Sequence, residues 1–341
     1  MMKRFLSLFF LILLIGVSIV GYLVLKSTTQ FAENKKALYI KSGSTYADVQ
    51  TQLSAEGFVG NTTTFDVLAG FFGLKNQVKP GKYVFEKGSS VLTILRTLKN
   101  GRQTPVKLVI NKLRLPSEFA QKIADNFECD LEEVSQLITN SDTLKKWGVD
   151  SNTFMTLIIP NTYEFYWNTS ANRILKKLIA EQQKFWTAER VQKANGLNLT
   201  PIQAYTLASI VEEETNMAED KGKIASVYLN RIETGMRLGA DPTVKFALKN
   251  FALTRIYQKH TQFESPFNTY KVFGLPPGPI CTPSVKTLEA VLNAPTTNYL
   301  YFVAKPDFNG YSNFATTYKE HLQYAKAYQD ALSIEQAKAA K

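Results

Sequence analysis

The sequence predicts an α+β protein built from an N-terminal single transmembrane helix, a small α+β module and a larger mixed α/β domain. Three features carry that prediction. Residues 5–25 form an apolar run interrupted only by Ser7, Gly16, Ser18 and Gly21. As a helix this run would be about 30 Å long, the thickness of a bilayer's hydrocarbon core. Beyond it, strand-like alternation and short amphipathic helical patterns take turns as far as Ile110, and from Pro116 the pattern is mostly helical with Pro-rich turns. A chain of 341 residues is long enough for two domains.

In chain order, the first element is the anchor, residues 1–26. Lys3 and Arg4 precede the apolar run, so the positive-inside rule keeps the N-terminus cytoplasmic and places residues 27–341 outside a single-pass plasma (inner) membrane helix. A cleaved signal peptide is the weaker reading, because the run is longer than a usual signal core and no A-x-A-like site follows before Lys26. Residues 27–36 read as a polar stalk and residues 37–110 as the α+β module. There, Ser44 or Thr45 caps a helix with Tyr46, Val49 and Leu53 on one face, ended by Gly57. Lys82-Tyr83-Val84-Phe85 reads as a strand. Ser89 or Ser90 opens a second helix with Val91, Leu92, Leu95 and Leu98, which Asn100-Gly101 stops, and residues 106–110 read as a further strand.

Residues 111–196 read as a mainly helical connection, broken by an aromatic block at 158–167 that contains Tyr163, Phe165, Tyr166 and Trp167. Such a block suits stacking on the flat faces of sugar rings, or an ordinary aromatic core. Residues 197–332 form the core of the larger domain and 333–341 a C-terminal tail.

Charge and composition narrow the chemistry. The net charge is +11, and beyond residue 26 there are 37 basic against 29 acidic residues. Because that portion is placed outside the cell, nucleic acid drops out as a partner; lipid head groups or an acidic wall polymer remain, alongside plain surface solvation. Two His and two Cys exclude zinc-finger arrays and disulfide scaffolds, and no metal or cofactor is expected. Cys129 and Cys281 read as isolated thiols, with a disulfide between them left open. His260 and His321 stand apart from any G-x-S-x-G motif, which weakens serine or cysteine hydrolysis.

The chemistry points instead to one helix. Thr200-Pro201-Ile202-Gln203 is a capping-box start with Pro in the first turn. At 100° per residue Ala204, Leu207, Ile210, Val211 and Glu214 fall within an arc of roughly 120°, so an acid is aimed into the apolar face. Glu212 and Glu213 lie to either side. A desolvated carboxyl group has its pKa raised toward neutrality, as a general acid acting on a glycosidic oxygen requires. The competing expectation is that Glu214 bends to solvent or pairs with Arg231. A second amphipathic helix carries Ile224, Val227, Tyr228 and Ile232, and rigid loops at 238–244, 265–270 and 274–279 suit a cleft wall or structural corners.

Several stretches occur together: Leu207-Ala-Ser-Ile-Val-Glu-Glu-Glu-Thr215, Ile224-Ala-Ser-Val-Tyr-Leu-Asn-Arg231, Asp241-Pro-Thr-Val244, Ser265-Pro-Phe-Asn-Thr-Tyr270, Gly274-Leu-Pro-Pro-Gly-Pro279, Tyr299-Leu-Tyr-Phe-Val-Ala304 and Glu320-His321. In this order they resemble the MltG-like (YceG-like) endolytic murein transglycosylases. The resemblance implies a LysM-like module before the catalytic part, and a membrane-anchored lytic transglycosylase acting on peptidoglycan glycan strands beside penicillin-binding synthases. It implies that Glu214 protonates the MurNAc–GlcNAc bond and then deprotonates the muramic C6 hydroxyl, which attacks C1 to leave a 1,6-anhydro end. Asn230, Asp241, Asn268 and Tyr270, with Tyr163 behind them, are the candidate substrate-binding residues. Gly239 and Ser312 stand where that family usually has Gln and His, and Thr282-Pro283-Ser284 where it has Asn-Pro-Gly. Two alternatives differ in product: a catalytically silent wall-binding scaffold releases nothing, and a hydrolytic muramidase leaves reducing ends.

Overall fold

The computed structural model describes residues 2–339, without the side chains of residues 2–4, 19, 20, 23 and 339. The fold is mixed α+β, with helices and two-stranded sheets. The chain divides into two compact units, one holding everything up to residue 108 together with 126–129 and 164–170, the other holding 109–125, 130–163 and everything from 171 onward.

The first unit opens with α1 (Met2–Leu25), a 24-residue helix whose side chains at positions 5–18 are all exposed. Among the described residues no helix is long and apolar enough to cross a membrane. Lys3 and Arg4, which orient the expected anchor, lie outside the described side chains. The segment expected as a polar stalk, residues 27–36, is bonded to the unit: Thr28 N donates to Ser89 O, Gln30 N to Gly57 O, and Phe31 is buried edge-on against Phe58.

Strand β1 (Lys35–Ile40) follows, then α2 (Tyr46–Ala55), α3 (Thr62–Phe71), β2 (Gly81–Glu86), α4 (Val91–Asn100) and β3 (Val106–Val109). β1 and β2 pair antiparallel from Lys35 opposite Glu86 to Ile40 opposite Gly81. Their inward residues Leu38, Ile40, Tyr83 and Phe85 share a core with Val49 and Leu53 of α2 and Ile94, Leu95 and Leu98 of α4. Thr45 caps α2 in a full capping box with Asp48, and Ser90 caps α4, which ends at Gly101 in the left-handed conformation (φ +65°). Helix α3 has no counterpart in the sequence reading. Phe65 and Ala69 face the core, whereas Val67 and Phe71 are exposed, and this apolar scatter hides the helical period.

The second unit contains α5 (Pro116–Asn126), α6 (Leu131–Thr139), α7 (Ser141–Lys146), β4 (Thr162–Phe165), α8 (Ala171–Phe185), α9 (Ala188–Gly196), α10 (Pro201–Glu214), α11 (Ala218–Glu233), α12 (Asp241–Ala247), α13 (Gln258–Thr261), α14 (Val285–Leu292), β5 (Tyr301–Ala304), β6 (Ser312–Ala315) and α15 (Tyr318–Ala339); β3, α5 and β4 each have residues in both units. Helix α10 is its axis. Thr200 accepts from Gln203 N while Gln203 Oε1 accepts from Thr200 N, closing the expected capping box. All eight residues from 204 to 211 are buried, because α9, α11, α12 and α14 surround the helix. The sequence reading of one apolar arc is therefore corrected: α10 has no solvent face in its middle, and its polar residues turn inward too. Ser209 donates to Thr206 O and accepts from Ile280 N, so the buried hydroxyl is satisfied.

Candidate active site

The three consecutive acids that end α10 are all half-buried, and their shared residue type does not tell them apart. Their partners do. Glu212 accepts from Lys221 Nζ (2.9 Å), Ser284 Oγ (3.0 Å) and the Thr287 hydroxyl. Burial works against ionisation there, but the Thr287, Lys221 and Ser284 hydrogen bonds and the Lys221 charge outweigh it and hold the carboxyl below its ordinary pKa. Glu213 pairs with Lys112 (3.0 Å) and Arg114 (3.0 Å). Glu214 has no ion pair among the described residues. It accepts one hydrogen bond, from Tyr228 Oη at 2.6 Å.

Burial is the main reason that the Glu214 pKa is pushed up to about 7. The Asp241 charge adds to the rise, while the Tyr228 hydrogen bond and the Arg231 and Lys245 charges oppose it. The carboxyl group is thus poised between acid and carboxylate near neutrality, the condition for donating and then accepting a proton. Arg231 does not pair with it. Its Nε donates to Leu300 O (2.7 Å), its Nη1 to Leu238 O (2.6 Å), and its guanidinium lies 5.4 Å from the centre of the Tyr301 ring.

Of the residues expected to bind substrate, two join this constellation. Tyr270 Oη donates to Asp241 Oδ1 at 2.7 Å, and Asp241, the first residue of α12, is exposed. A buried threonine pair fixes both. Thr269 Oγ1 accepts from Ala240 N and meets Thr243 Oγ1 at 2.8 Å, locking the start of α12 to the turn that carries Tyr270. Gly239, beside them, sits at φ +56°, a conformation that favours glycine. A Cβ there would lie 3.7 Å from both Arg231 Nη1 and the Tyr270 ring.

The other three expected residues serve the backbone. Asn268 is fully buried and gives both amide hydrogens to Thr261 O and Phe263 O, while its Oδ1 accepts from Tyr270 N. Asn230 is half-buried and donates to Thr297 O and Tyr299 O. It lines a cavity of about 310 Å³ together with Asn198, Ser226 and Glu233, which Glu214 does not reach. Tyr163 is buried, with its hydroxyl on Ile159 O. Its place in the aromatic block is a packing one. Sequence reading placed Tyr228 only on an amphipathic helix face; the signal for more was an inward hydroxyl on a helix that packs against the end of α10.

The remaining polar candidates sit elsewhere. Ser312 N donates to Asp220 Oδ2. Thr282 and Ser284 bond Asn111 and Leu113 on one side and Glu212 on the other. His260 is tied to Tyr257 N, and His321 stacks on Tyr301. Cys129 and Cys281 are buried thiols outside any disulfide. Among the described residues no cluster of His, Cys, Asp or Glu is arranged to hold a metal ion.

The chain is similar to several known proteins. The model of the YceG-like family matches residues 38–327. A Bacillus subtilis protein named endolytic murein transglycosylase is 28% identical over 330 residues, covering 92% of this chain and 90% of its own. A Streptococcus pneumoniae protein of the same name is 27% identical over 86% of this chain, the alignment spanning 60% of its own length. The crystal structure of a yceG-like protein from Listeria monocytogenes superposes with a TM-score of 0.56 at 26% identity, covering 86% of this chain and 99% of that one.

Proposed function

This chain belongs to the YceG-like family, and on that premise we propose that it is an endolytic murein transglycosylase with Glu214 as its general acid and base. The observation that carries this reading is the contrast at the end of α10: two acids are neutralised by cations, and the third is held near neutrality with one hydrogen bond. The Glu214 proton passes to the glycosidic oxygen as the MurNAc C1–O bond breaks. The resulting carboxylate takes the proton of the C6 hydroxyl as O6 bonds to C1, closing the 1,6-anhydro ring. No water is consumed, and the intramolecular nucleophile gains the entropic advantage of proximity. One carboxyl group therefore does the work that two share in a hydrolase. Asp241 and Tyr270 are the neighbours best placed to contact the sugars.

The chain acts outside the cell in this reading, held to the plasma membrane through residues 5–25 with the N-terminus inside. The apolar run and the Lys3-Arg4 flank support that placement, and a substrate growing at the membrane beside penicillin-binding synthases accords with it. The test is digestion of purified glycan strands by the full-length chain in detergent, with Glu214→Gln as control. Anhydromuramyl ends from the wild type alone support the proposal. Reducing ends would make it a hydrolytic muramidase, and no product a scaffold.

A further inference from the structure

Glu214 offers two oxygens, and the protein treats them differently. Tyr228 Oη holds Oε1 at 2.6 Å, whereas Oε2 accepts no hydrogen bond among the described residues. Tyr228 is 1% exposed, packs edge-on against Phe302 at 5.9 Å between ring centres, and belongs to the core that surrounds α10. Its position is set by packing, so its hydroxyl is a fixed donor rather than a rotor in search of a partner.

We propose that Tyr228 is a positioning residue that divides the labour of the Glu214 carboxyl: Oε1 is pinned by the phenol, and Oε2 carries the proton both to and from the substrate. This deepens the function proposed above and rests on it. While Glu214 is protonated, the phenol donates to Oε1, so the acid proton resides on Oε2. As the C1–O bond breaks, that proton moves to the leaving oxygen, and the same phenol hydrogen bond stabilises the carboxylate. The C6 hydroxyl then returns a proton to Oε2 as O6 bonds to C1. Tyr228 neither gains nor loses a proton. Burial and the neighbouring Glu214 charge push its own pKa well above the ordinary phenol value, so it stays a donor through the cycle.

The groups that act on Glu214 come from three elements. Helix α11 supplies Tyr228 and Arg231, α12 supplies Asp241 and Lys245, and Tyr270 follows on the 265–270 turn, acting on the Tyr228–Glu214 pair. On α10 itself, Glu212 and Glu213 are committed to other partners. Among these groups only Tyr228 donates a hydrogen bond to Glu214, and that bond favours the carboxylate, so its loss leaves a weaker acid.

The experiment is the pH dependence of anhydro-end formation by the full-length chain in detergent, for wild type, Tyr228→Phe, Phe302→Leu and Glu214→Gln. Tyr228→Phe keeps the ring and its packing. The expected result is a fall in kcat of about tenfold, an unchanged KM, and an alkaline limb moved to higher pH. Phe302→Leu, which loosens the ring but keeps the hydroxyl, should move the limb less than Tyr228→Phe does. If Tyr228→Phe does not fold, 3-fluorotyrosine incorporated at position 228, a stronger donor, should move the limb to lower pH. An unmoved limb in Tyr228→Phe, an equal shift in Phe302→Leu, or an unmoved limb with 3-fluorotyrosine overturns the assignment of Tyr228 while leaving Glu214 in place. Anhydro ends surviving in Glu214→Gln would instead remove the reading beneath it.

Discussion

Glu212 and Glu214 are two residues apart on one helix, yet one side of α10 is built to keep a charge and the other to give one up. Around Glu212, Lys221 supplies a counter-charge and two hydroxyls donate to the same carboxylate oxygen, so the buried charge is compensated. Around Glu214 the Asp241 charge opposes ionisation, and the cations Arg231 and Lys245 favour it without pairing. The difference teaches that a run of identical residues is sorted by partners brought from other elements, not by helical position alone.

The largest way to break that comparison is at its reactive end. Glu214→Gln should lower the rate of anhydro-end formation about 10²–10⁴-fold, the usual weight of a general acid or base, as read by chromatography of muramidase-digested strands. Next comes the structural end. Lys221→Met leaves the Glu212 charge buried and uncompensated, and should cost about 3 kcal/mol in urea unfolding, with no shift of the pH–rate profile.

A third test uses proton linkage. The Glu214 pKa of about 7 lies above its ordinary value, so its protonated form favours the fold at low pH and that contribution is lost as pH rises through about 7. Glu214→Gln should therefore be more stable than wild type at pH 8, by about 3 kcal/mol, and the difference should vanish near pH 4. Glu212 runs in the opposite sense: its depressed pKa contributes stability that is lost on acidification. The smallest expected change comes from Asp241→Asn, which removes a repelling charge and should move the alkaline limb of activity slightly to lower pH. A move to higher pH would overturn the electrostatic account.

Much of this was legible in the sequence where the cause is local. The Thr200–Gln203 and Thr45 caps and the Gly101 stop rest on residues within a few positions of each other. What was not legible depends on contacts across the chain. Lys221, Thr287 and Ser284 converge on Glu212 from 9, 75 and 72 residues away. Asn268 and Asn230 looked like cleft residues because they stand in turn-like or helix-end motifs, yet both are consumed by carbonyls that only the folded chain brings near. Tyr163 shows the same limit, since an aromatic block reads alike whether its hydroxyls meet sugar or a neighbouring backbone.

The bonded start of the first unit has a mechanical consequence. Residues 27–31 leave α1 and are at once stitched to Ser89, Ser90, Gly57 and Gly60 rather than hanging loose. If α1 lies in the bilayer, as proposed, there is no slack between lipid and first unit, so the unit cannot swivel freely and its tilt follows that of the helix. Inserting a flexible spacer after Lys26 would turn this rigid mount into a leash and broaden the range of heights at which the unit samples the surrounding wall.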